Sequence, residues 1–280
     1  LGAFLFPLIF VPLLKSIGWS YIFIMAAVGT GWLLFLNLFA YKEPTIPKSN
    51  KSLIMVFKEM VLVLKDYKFI LMIVVYSGFW VLYFQMFDSV LWFLKEYVDM
   101  TPVDTFVNSL LAIFVSNPNW HFDAEHVTVV NAGTIIALQL IISAIVKNTR
   151  ALPTMIVGIA MGTIGMAVLA TSNYAWVFIG GMIVCSLGEM IAQPKFISYI
   201  GLIAPDDKKA LYMGYSFLYG VIGSGIGGVL GAYSYVKLVN EMGRPSMFWL
   251  MFSFIGVATI LGLLAYNRFI LKKGTANPHS

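Results

Sequence analysis

A carboxylate lies within a segment whose other side chains are mostly apolar. Glu189 stands near the middle of residues 174–203, and Gln193 follows one helical turn later on the same face. Pro194 comes next and removes a backbone hydrogen bond from a helix at this point. An ionisable group at such a depth is costly and usually faces a bundle interior or a water-filled cavity. The pattern predicts that Glu189 binds a solute or a proton, although a structural ion pair is the alternative.

Other polar side chains fall within apolar segments. Gln85 and Asp88 are three residues apart in 69–94, which predicts that they share a helix face. Asp88 either takes part in the same chemistry or reaches toward water. Asn131 either lines a cavity or bonds between helices. We expect the long stem of Lys195 to extend toward the inner interface. Five tyrosines are further candidates for cavity lining: Tyr76, Tyr83, Tyr212, Tyr215 and Tyr219.

The composition indicates that these groups are embedded in a membrane. Of the 280 residues, 60% are hydrophobic and only 11% are charged, whereas a soluble domain has about 25% charged residues. The mean hydropathy is +0.86. A soluble globule could not cover so much apolar surface, so the chain is predicted to be an all-α polytopic membrane protein. The single cysteine, Cys185, cannot form a disulfide within the chain.

Hydrophobic length predicts seven full spans, because about 20 apolar residues cross the hydrocarbon layer as a helix. Residues 1–14 look like the end of an eighth helix whose beginning is missing. The domains are expected at 1–41 (the end of a first helical bundle), 42–68 (a linker), 69–271 (a six-helix bundle) and 272–280 (a tail). The expected spans are 18–41, 69–94, 127–146, 152–171, 174–203, 210–236 and 246–270.

The loops predict the orientation. Of the 18 lysines and arginines, 13 lie in loops on one side and four on the other, which predicts a cytoplasmic C-terminus. Lys51, Lys58 and Lys65 are seven residues apart, which favours a helix over 51–65 on the inner membrane surface. Residues 102–115 are expected to form a short helix on the outer side. This charge pattern reflects topology, and no nucleic-acid partner is expected.

Two motifs have simple structural interpretations. Gly223, Gly225 and Gly228 have GxGxxG spacing but lack the strand that a dinucleotide site requires. The spacing of Gly223, Gly227 and Gly231 instead favours close helix packing. The segment HFDAEH (121–126) is interpreted as a helix start, with a metal site as the alternative. We expect no metal and no cofactor.

Four segments together resemble the proton-dependent oligopeptide transporters of the major facilitator superfamily. GEMIAQPKFISYIGLIAP (188–205) resembles the tenth-helix motif, and FWVLYFQ (79–85) is similar to the seventh-helix pattern. VVNAG (129–133) and MGYSFLYGVIGSGIGG (213–228) resemble parts of helices eight and eleven. Phe84 replaces a glutamate that the family usually carries, and Lys195 replaces an apolar residue.

The resemblance implies two six-helix halves around a central cavity. This chain would hold part of helix five, helix six and the C-terminal half, and the missing N-terminal half would be its partner. The implied substrate-binding residues are Glu189, Gln85, Asn131 and Trp80, with Glu189 and Asp88 in proton coupling. The expected function is proton-coupled uptake of small peptides by alternating access.

Two alternatives remain open at this point. One is a transporter of another solute or a drug on the same fold, and another is a receptor that no longer transports. An enzyme is not expected, because His121, His126 and His279 lie outside the spans or at their edges and form no catalytic group with Asp88 or Glu189. The expected location is the plasma (inner) membrane, as a multi-pass protein.

Overall fold

The computed structural model describes residues 2–42 and 53–271. Within them the chain is built from α-helices with short 3₁₀ and π-helical turns. The helices are α1 (Gly2–Leu5), α2 (Val11–Ile17), α3 (Trp19–Phe39), α4 (Leu53–Leu64), α5 (Tyr67–Tyr83), α6 (Ser89–Tyr97), α7 (Thr101–Leu111), α8 (Glu125–Val146), α9 (Ala151–Leu169), α10 (Ala175–Ile203), α11 (Lys209–Ser216), α12 (Leu218–Ser234) and α13 (Pro245–Tyr266).

Among the described residues, seven helical segments are long and apolar enough to cross a membrane, which confirms the predicted number. Three of them contain more than one helix or a terminal π-helical turn. These are Tyr67–Tyr97 (α5 and α6), Asp206–Glu241 (α11 and α12) and Pro245–Ile270. The chain is therefore a multi-pass membrane protein. Of the predicted linker, residues 43–52 lie outside the described residues, as does the predicted tail 272–280.

The span containing α5 and α6 is not one regular helix. Asp66 caps the start of α5, since its carboxylate accepts hydrogen bonds from the backbone N–H groups of Lys68 and Phe69 at 3.1 and 3.2 Å. A 3₁₀ turn, Phe84–Met86, then separates α5 from α6. The break reorients the side chains that follow it.

Glycines allow α12 to pack closely on α5, as their spacing predicted. A Cβ atom on Gly223 would lie 2.5 Å from Cβ of Trp80, and one on Gly227 would lie 3.0 Å from the carbonyl of Val81. Gly231 lies against the side chain of Gln85. A larger residue would separate the two helices, which explains why the surface is made of glycine.

A second glycine surface, between α9 and α10, was not predicted. A Cβ atom on Gly188 would lie 2.5 Å from the backbone nitrogen of Gly162 and 2.7 Å from the carbonyl of Gly158. Backbone atoms cannot move aside as a flexible side chain can. This contact therefore sets the position of α10 immediately before Glu189.

Helix α10 runs without interruption from Ala175 to Ile203, with Pro194 inside it. Pro194 lacks a backbone N–H and so removes one hydrogen bond, as expected, but the helix continues on both sides of it. Neighbouring helices can support the carbonyl that a proline leaves unbonded.

The first described helices lie against α8. The ring of Phe4 is next to Gly133, and Lys15 forms ion pairs with Asp123 and Glu125 at 3.2 and 3.0 Å. Helix α3 has no buried residue, so the described residues leave its apolar faces uncovered.

The two predicted helices outside the spans are present. Helix α4 covers most of 51–65, of which residues 51 and 52 lie outside the described residues. Helix α7 begins at Thr101, one residue before the predicted segment 102–115, and ends at Leu111. The side chain of Lys58 is exposed on α4, as a helix on the membrane surface requires.

Candidate functional site

Three helices bring polar side chains together around Glu189 on α10. The hydroxyl of Tyr83, on α5, donates a short hydrogen bond to Oε2 of this carboxylate. The amide of Asn131, on α8, donates to the Tyr83 oxygen at 3.0 Å and lies 3.4 Å from Oε2 of Glu189. It also donates to the hydroxyl of Ser186 at 2.9 Å. We call Tyr83, Asn131, Ser186 and Glu189 the carboxylate cluster.

The carboxylate cluster leaves one carboxylate oxygen open. Both bonds to Glu189 reach Oε2, and among the described residues Oε1 has no hydrogen-bond partner. The side chain of Glu189 is half-buried, whereas those of Tyr83 and Asn131 are buried. One oxygen is thus held in place by the protein, and the other is available to a cation or a proton.

A second polar layer lies one helical turn along α10. Gln193 accepts a hydrogen bond from the hydroxyl of Tyr76 at 3.0 Å and donates one to the hydroxyl of Tyr219 at 2.6 Å. The ring of Phe196 stacks on Tyr76 with the ring centroids 3.9 Å apart. Helices α5, α10 and α12 therefore meet at Gln193, on the same face as Glu189. We call Tyr76, Gln193 and Tyr219 the amide layer.

Trp80 connects the two layers. Its ring centroid lies 5.3 Å from that of Tyr83 and 4.8 Å from that of Tyr219. The side chain is 8% exposed, and its indole N–H has no hydrogen-bond partner among the described residues. The structure thus brings Trp80, Asn131 and Glu189, three of the predicted substrate-binding residues, into one region.

Gln85, the fourth of these residues, lies elsewhere. It is fully buried, and its amide donates to the carbonyls of Val81 and Gly227 at 3.1 and 3.0 Å. Its oxygen accepts a hydrogen bond from Ser89 at 2.7 Å. These bonds join α5 to the glycine surface of α12, and the structure does not bring Gln85 to the carboxylate cluster.

The prediction that Asp88 shares a face with Gln85 is wrong. The 3₁₀ turn Phe84–Met86 and the irregular backbone at Asp88 interrupt the helical spacing on which it depended. Asp88 is exposed, and its carboxylate has no hydrogen bond or ion pair within residues 2–42 and 53–271. It remains a candidate for proton transfer that is separate from the carboxylate cluster.

The stem of Lys195 extends toward the loop between α8 and α9, which the loop charges assign to the inner side. The side chain is 7% exposed, and its ammonium donates to the backbone carbonyl of Thr149 at 2.9 Å. The amide of Gln139 donates a hydrogen bond to Ser143 on its own helix at 2.9 Å.

HFDAEH (121–126) is confirmed as the approach to a helix. Helix α8 begins at Glu125, and Nδ1 of His126 accepts a hydrogen bond from the backbone N–H of Asp123 at 2.9 Å. Asp104 on α7 accepts another from the N–H of Phe122 at 2.9 Å. The described residues contain no group of side chains suited to hold a metal ion.

Sequence reasoning identified Tyr83 only as one of five tyrosines and did not identify Ser186. Ser186 lies three residues before Glu189, so helical spacing could have placed it on the same face. The bond between Tyr83 and Glu189 joins positions 106 residues apart, and no local pattern reports such a pairing.

Solved structures with the same architecture belong to the POT family of transporters. One is a POT family transporter in complex with 5-aminolevulinic acid, and another is a POT family transporter in complex with a thioalcohol-conjugated peptide. For each the TM-score is 0.63, the sequence identity is 19%, and the match covers 97% of this chain and 66% of the other.

The chain has the fold of these transporters. The expected all-α architecture of a multi-pass membrane protein is thereby confirmed. The chain spans about two thirds of the length of the solved structures it matches. No protein-family model matches the sequence, and no curated protein matches it significantly.

Proposed function

We propose that this chain is part of a secondary active transporter that couples the uptake of small peptides to protons. The observation that carries the proposal is the carboxylate cluster, in which Glu189 keeps one oxygen free beside the fixed donors Tyr83 and Asn131. The POT fold supports this interpretation, since the solved structures are of transporters with a peptide conjugate and with 5-aminolevulinic acid. For this chain, both the peptide substrate and the coupling to protons are part of the proposal.

A carboxylate in this setting can bind an organic cation and can release it on protonation. When ionised, Glu189 would bind the ammonium group of a peptide through Oε1 while Tyr83 and Asn131 hold Oε2. A proton that enters together with the peptide and then transfers to Glu189 would remove this attraction, so that the peptide and the proton both leave on the inner side. Alternating access would then expose the site to each side in turn, with populations shifted by whichever ligand is bound.

The amide layer supports a solute with polar groups beyond its ammonium end. Gln193 and Tyr219 lie one turn from Glu189 and could bond to a peptide carbonyl or carboxylate, while Trp80 provides an apolar face between them. A different amphipathic solute is the alternative. We propose that Gln85 stabilises the contact between α5 and α12 and does not bind substrate. Asp88 is a second candidate for proton coupling.

We propose a location in the plasma (inner) membrane with the C-terminus on the cytoplasmic side, on the basis of the loop charges. We also propose that residues 69–271 form one functional half. Residues 1–41 would belong to the other half, joined through the linker 42–68. The uncovered faces of α3 support this division, because an apolar helix in a bundle packs against neighbours.

The test uses the full-length protein in vesicles with an inward proton gradient and labelled dipeptides or 5-aminolevulinic acid as probes. We expect gradient-driven uptake by the wild type and a loss of about a hundredfold in Glu189→Gln, because an amide cannot take up and release a proton. Exchange of labelled for unlabelled substrate across the membrane, measured without a proton gradient, shows whether Glu189→Gln still binds substrate. Glu241→Gln is the control, since this exposed carboxylate pairs only with Lys237 at the surface.

Each outcome selects between the interpretations. Uptake that persists in Glu189→Gln removes Glu189 from coupling, and the same assay on Asp88→Asn then tests the second candidate. A wild type that moves neither probe contradicts the peptide proposal and directs the search to other solutes. Thermal stabilisation by a probe without any flux favours a receptor on the same fold.

A further inference from the structure

Lys195 is a buried cation that the proposed transport cycle does not use. It follows Glu189 by six positions on α10. The side chain is 7% exposed, and no ion pair includes it within residues 2–42 and 53–271. Removing an ammonium group from water costs free energy. The one hydrogen bond of this group, to the carbonyl of Thr149, is therefore the contact that compensates for its burial.

The Thr149 carbonyl lies in the loop between α8 and α9. This loop follows the C-terminal end of α8, where the helix dipole favours a positive charge. The N–H of Thr149 in turn bonds to the carbonyl of Val146, the last residue of α8, at 3.0 Å. Lys195 therefore ties α10 to the inner end of α8.

Within the described residues, the inner half of α8 has little buried surface. The buried residues of α8 are His126, Val127, Asn131 and Ala132, all in its outer half. From position 133 to 146 no side chain is buried. The hydrogen bond of Lys195 is therefore the one side-chain hydrogen bond that joins the described residues 133–150 to α10.

We propose that Lys195 is a positioning residue that holds the inner end of α8 against α10. Helices α8 and α10, which carry Asn131 and Glu189, then move as one body during transport. The mechanical part depends only on the contacts described above. The transport consequence rests on the proposed function, so the two parts are tested separately.

The mechanical test is hydrogen–deuterium exchange on the full-length protein in lipid. Lys195→Met keeps a flexible apolar side chain that is one heavy atom shorter, and it removes the charge and the donors. We expect amide exchange over residues 140–150 to rise about tenfold, with α9 unchanged. Lys195→Arg restores a donor and should restore protection. Lys147→Met is the control, because Lys147 is an exposed lysine of the same loop without the bond to Thr149.

Unchanged exchange over 140–150 in Lys195→Met overturns the proposal, as does an equal rise in Lys147→Met. If Lys195→Met yields no folded protein, Lys195→Gln is measured by the same criterion. The amide of glutamine is neutral and too short to keep the bond.

The transport test separates positioning from a general loss of stability. We expect Lys195→Met to lower the maximal uptake rate about tenfold per folded molecule while KM changes less than about twofold, because the carboxylate cluster keeps its own hydrogen bonds. An unchanged rate with a lower unfolding temperature would mean a purely structural role. A wild type that moves neither probe contradicts the proposed function, whereas the exchange result still decides the mechanical part.

Discussion

Tyr83 is the residue on which the geometry of the carboxylate cluster depends most. Its hydroxyl donates to Glu189 and accepts from Asn131, so it joins α5 to both α8 and α10. A hydroxyl can donate and accept at the same time, which neither phenylalanine nor an ionised carboxylate can do. Without it, Glu189 would keep only the longer contact with Asn131, at 3.4 Å.

We therefore predict that Tyr83→Phe raises KM for the dipeptide about tenfold and lowers the free energy of unfolding by about 1–3 kcal/mol, since it leaves buried partners unpaired. Tyr212→Phe is the matched control. It removes a hydroxyl that bonds to Asp66 at 2.7 Å, away from the carboxylate cluster. We expect it to lower stability and leave KM unchanged. Equal effects of both variants on KM would argue against a binding role for Tyr83.

At the scale of helices, two glycine surfaces set the spacing around the site. One brings α12 to α5 and the other brings α9 to α10. The first could be predicted, because three glycines four residues apart form a continuous stripe in the sequence. The second could not be, since Gly158 and Gly162 on one helix face Gly188 on another, and either helix alone shows only scattered small residues.

Gly188→Ala tests the second surface. We predict a loss of about 1–3 kcal/mol in the free energy of unfolding, because the added methyl group would meet the backbone of Gly158 and Gly162. Gly180→Ala on the same helix is the control, since a Cβ atom there would have no neighbour within 4 Å. Its better helix propensity should leave stability unchanged or raise it slightly. Thermal unfolding in detergent measures both variants, and equal midpoints would contradict the packing argument.

At the scale of the whole molecule, the seven spans could be predicted because lipid imposes a length and a composition on every helix that crosses it. The depth of Glu189 followed from the same reasoning. The sequence did not predict which helices face each other, because hydropathy carries no information on the rotation of a helix or on its neighbours. Gln85 and Asp88 show this limit: their spacing predicted a shared face, but the turn between α5 and α6 buries one and exposes the other.

The ion pairs of Lys15 join the first described helices to the bundle of residues 69–271. Lys15 lies within 3.2 Å of Asp123 and 3.0 Å of Glu125, on the side that the loop charges assign to the exterior. The pKa of Lys15 is raised above the usual 10.5, mainly because its ammonium group donates a hydrogen bond to Glu125. A raised pKa means that the contact is fully present below 10.5 and is lost only as the pH rises through the raised value. The contact is therefore intact at neutral pH.

We predict that Lys15→Met opens the outer side of the molecule, because the two carboxylates lose the cation that holds them to α2. The measurement is the rate at which a membrane-impermeant maleimide, added outside, labels Ala124→Cys in the full-length protein with other cysteines replaced. Ala124 lines a cavity of about 450 Å³ together with Lys15 and Lys95. We expect Ala124→Cys to be labelled about three to ten times faster in Lys15→Met than with Lys15 present. This factor corresponds to the modest free energy that a network of partly exposed ion pairs contributes.

Lys95→Met is the control, since Lys95 lines the same cavity but forms no ion pair within residues 2–42 and 53–271. A second cysteine, Asn148→Cys in the loop after α8, should react only when the reagent reaches the inner side. Because Ala124 and Asn148 lie at opposite ends of one span, labelling of Asn148→Cys from outside would reverse the proposed orientation. Equal labelling of Ala124→Cys with and without Lys15 would mean that packing of Phe4 against α8, rather than the ion pairs, holds the two parts together.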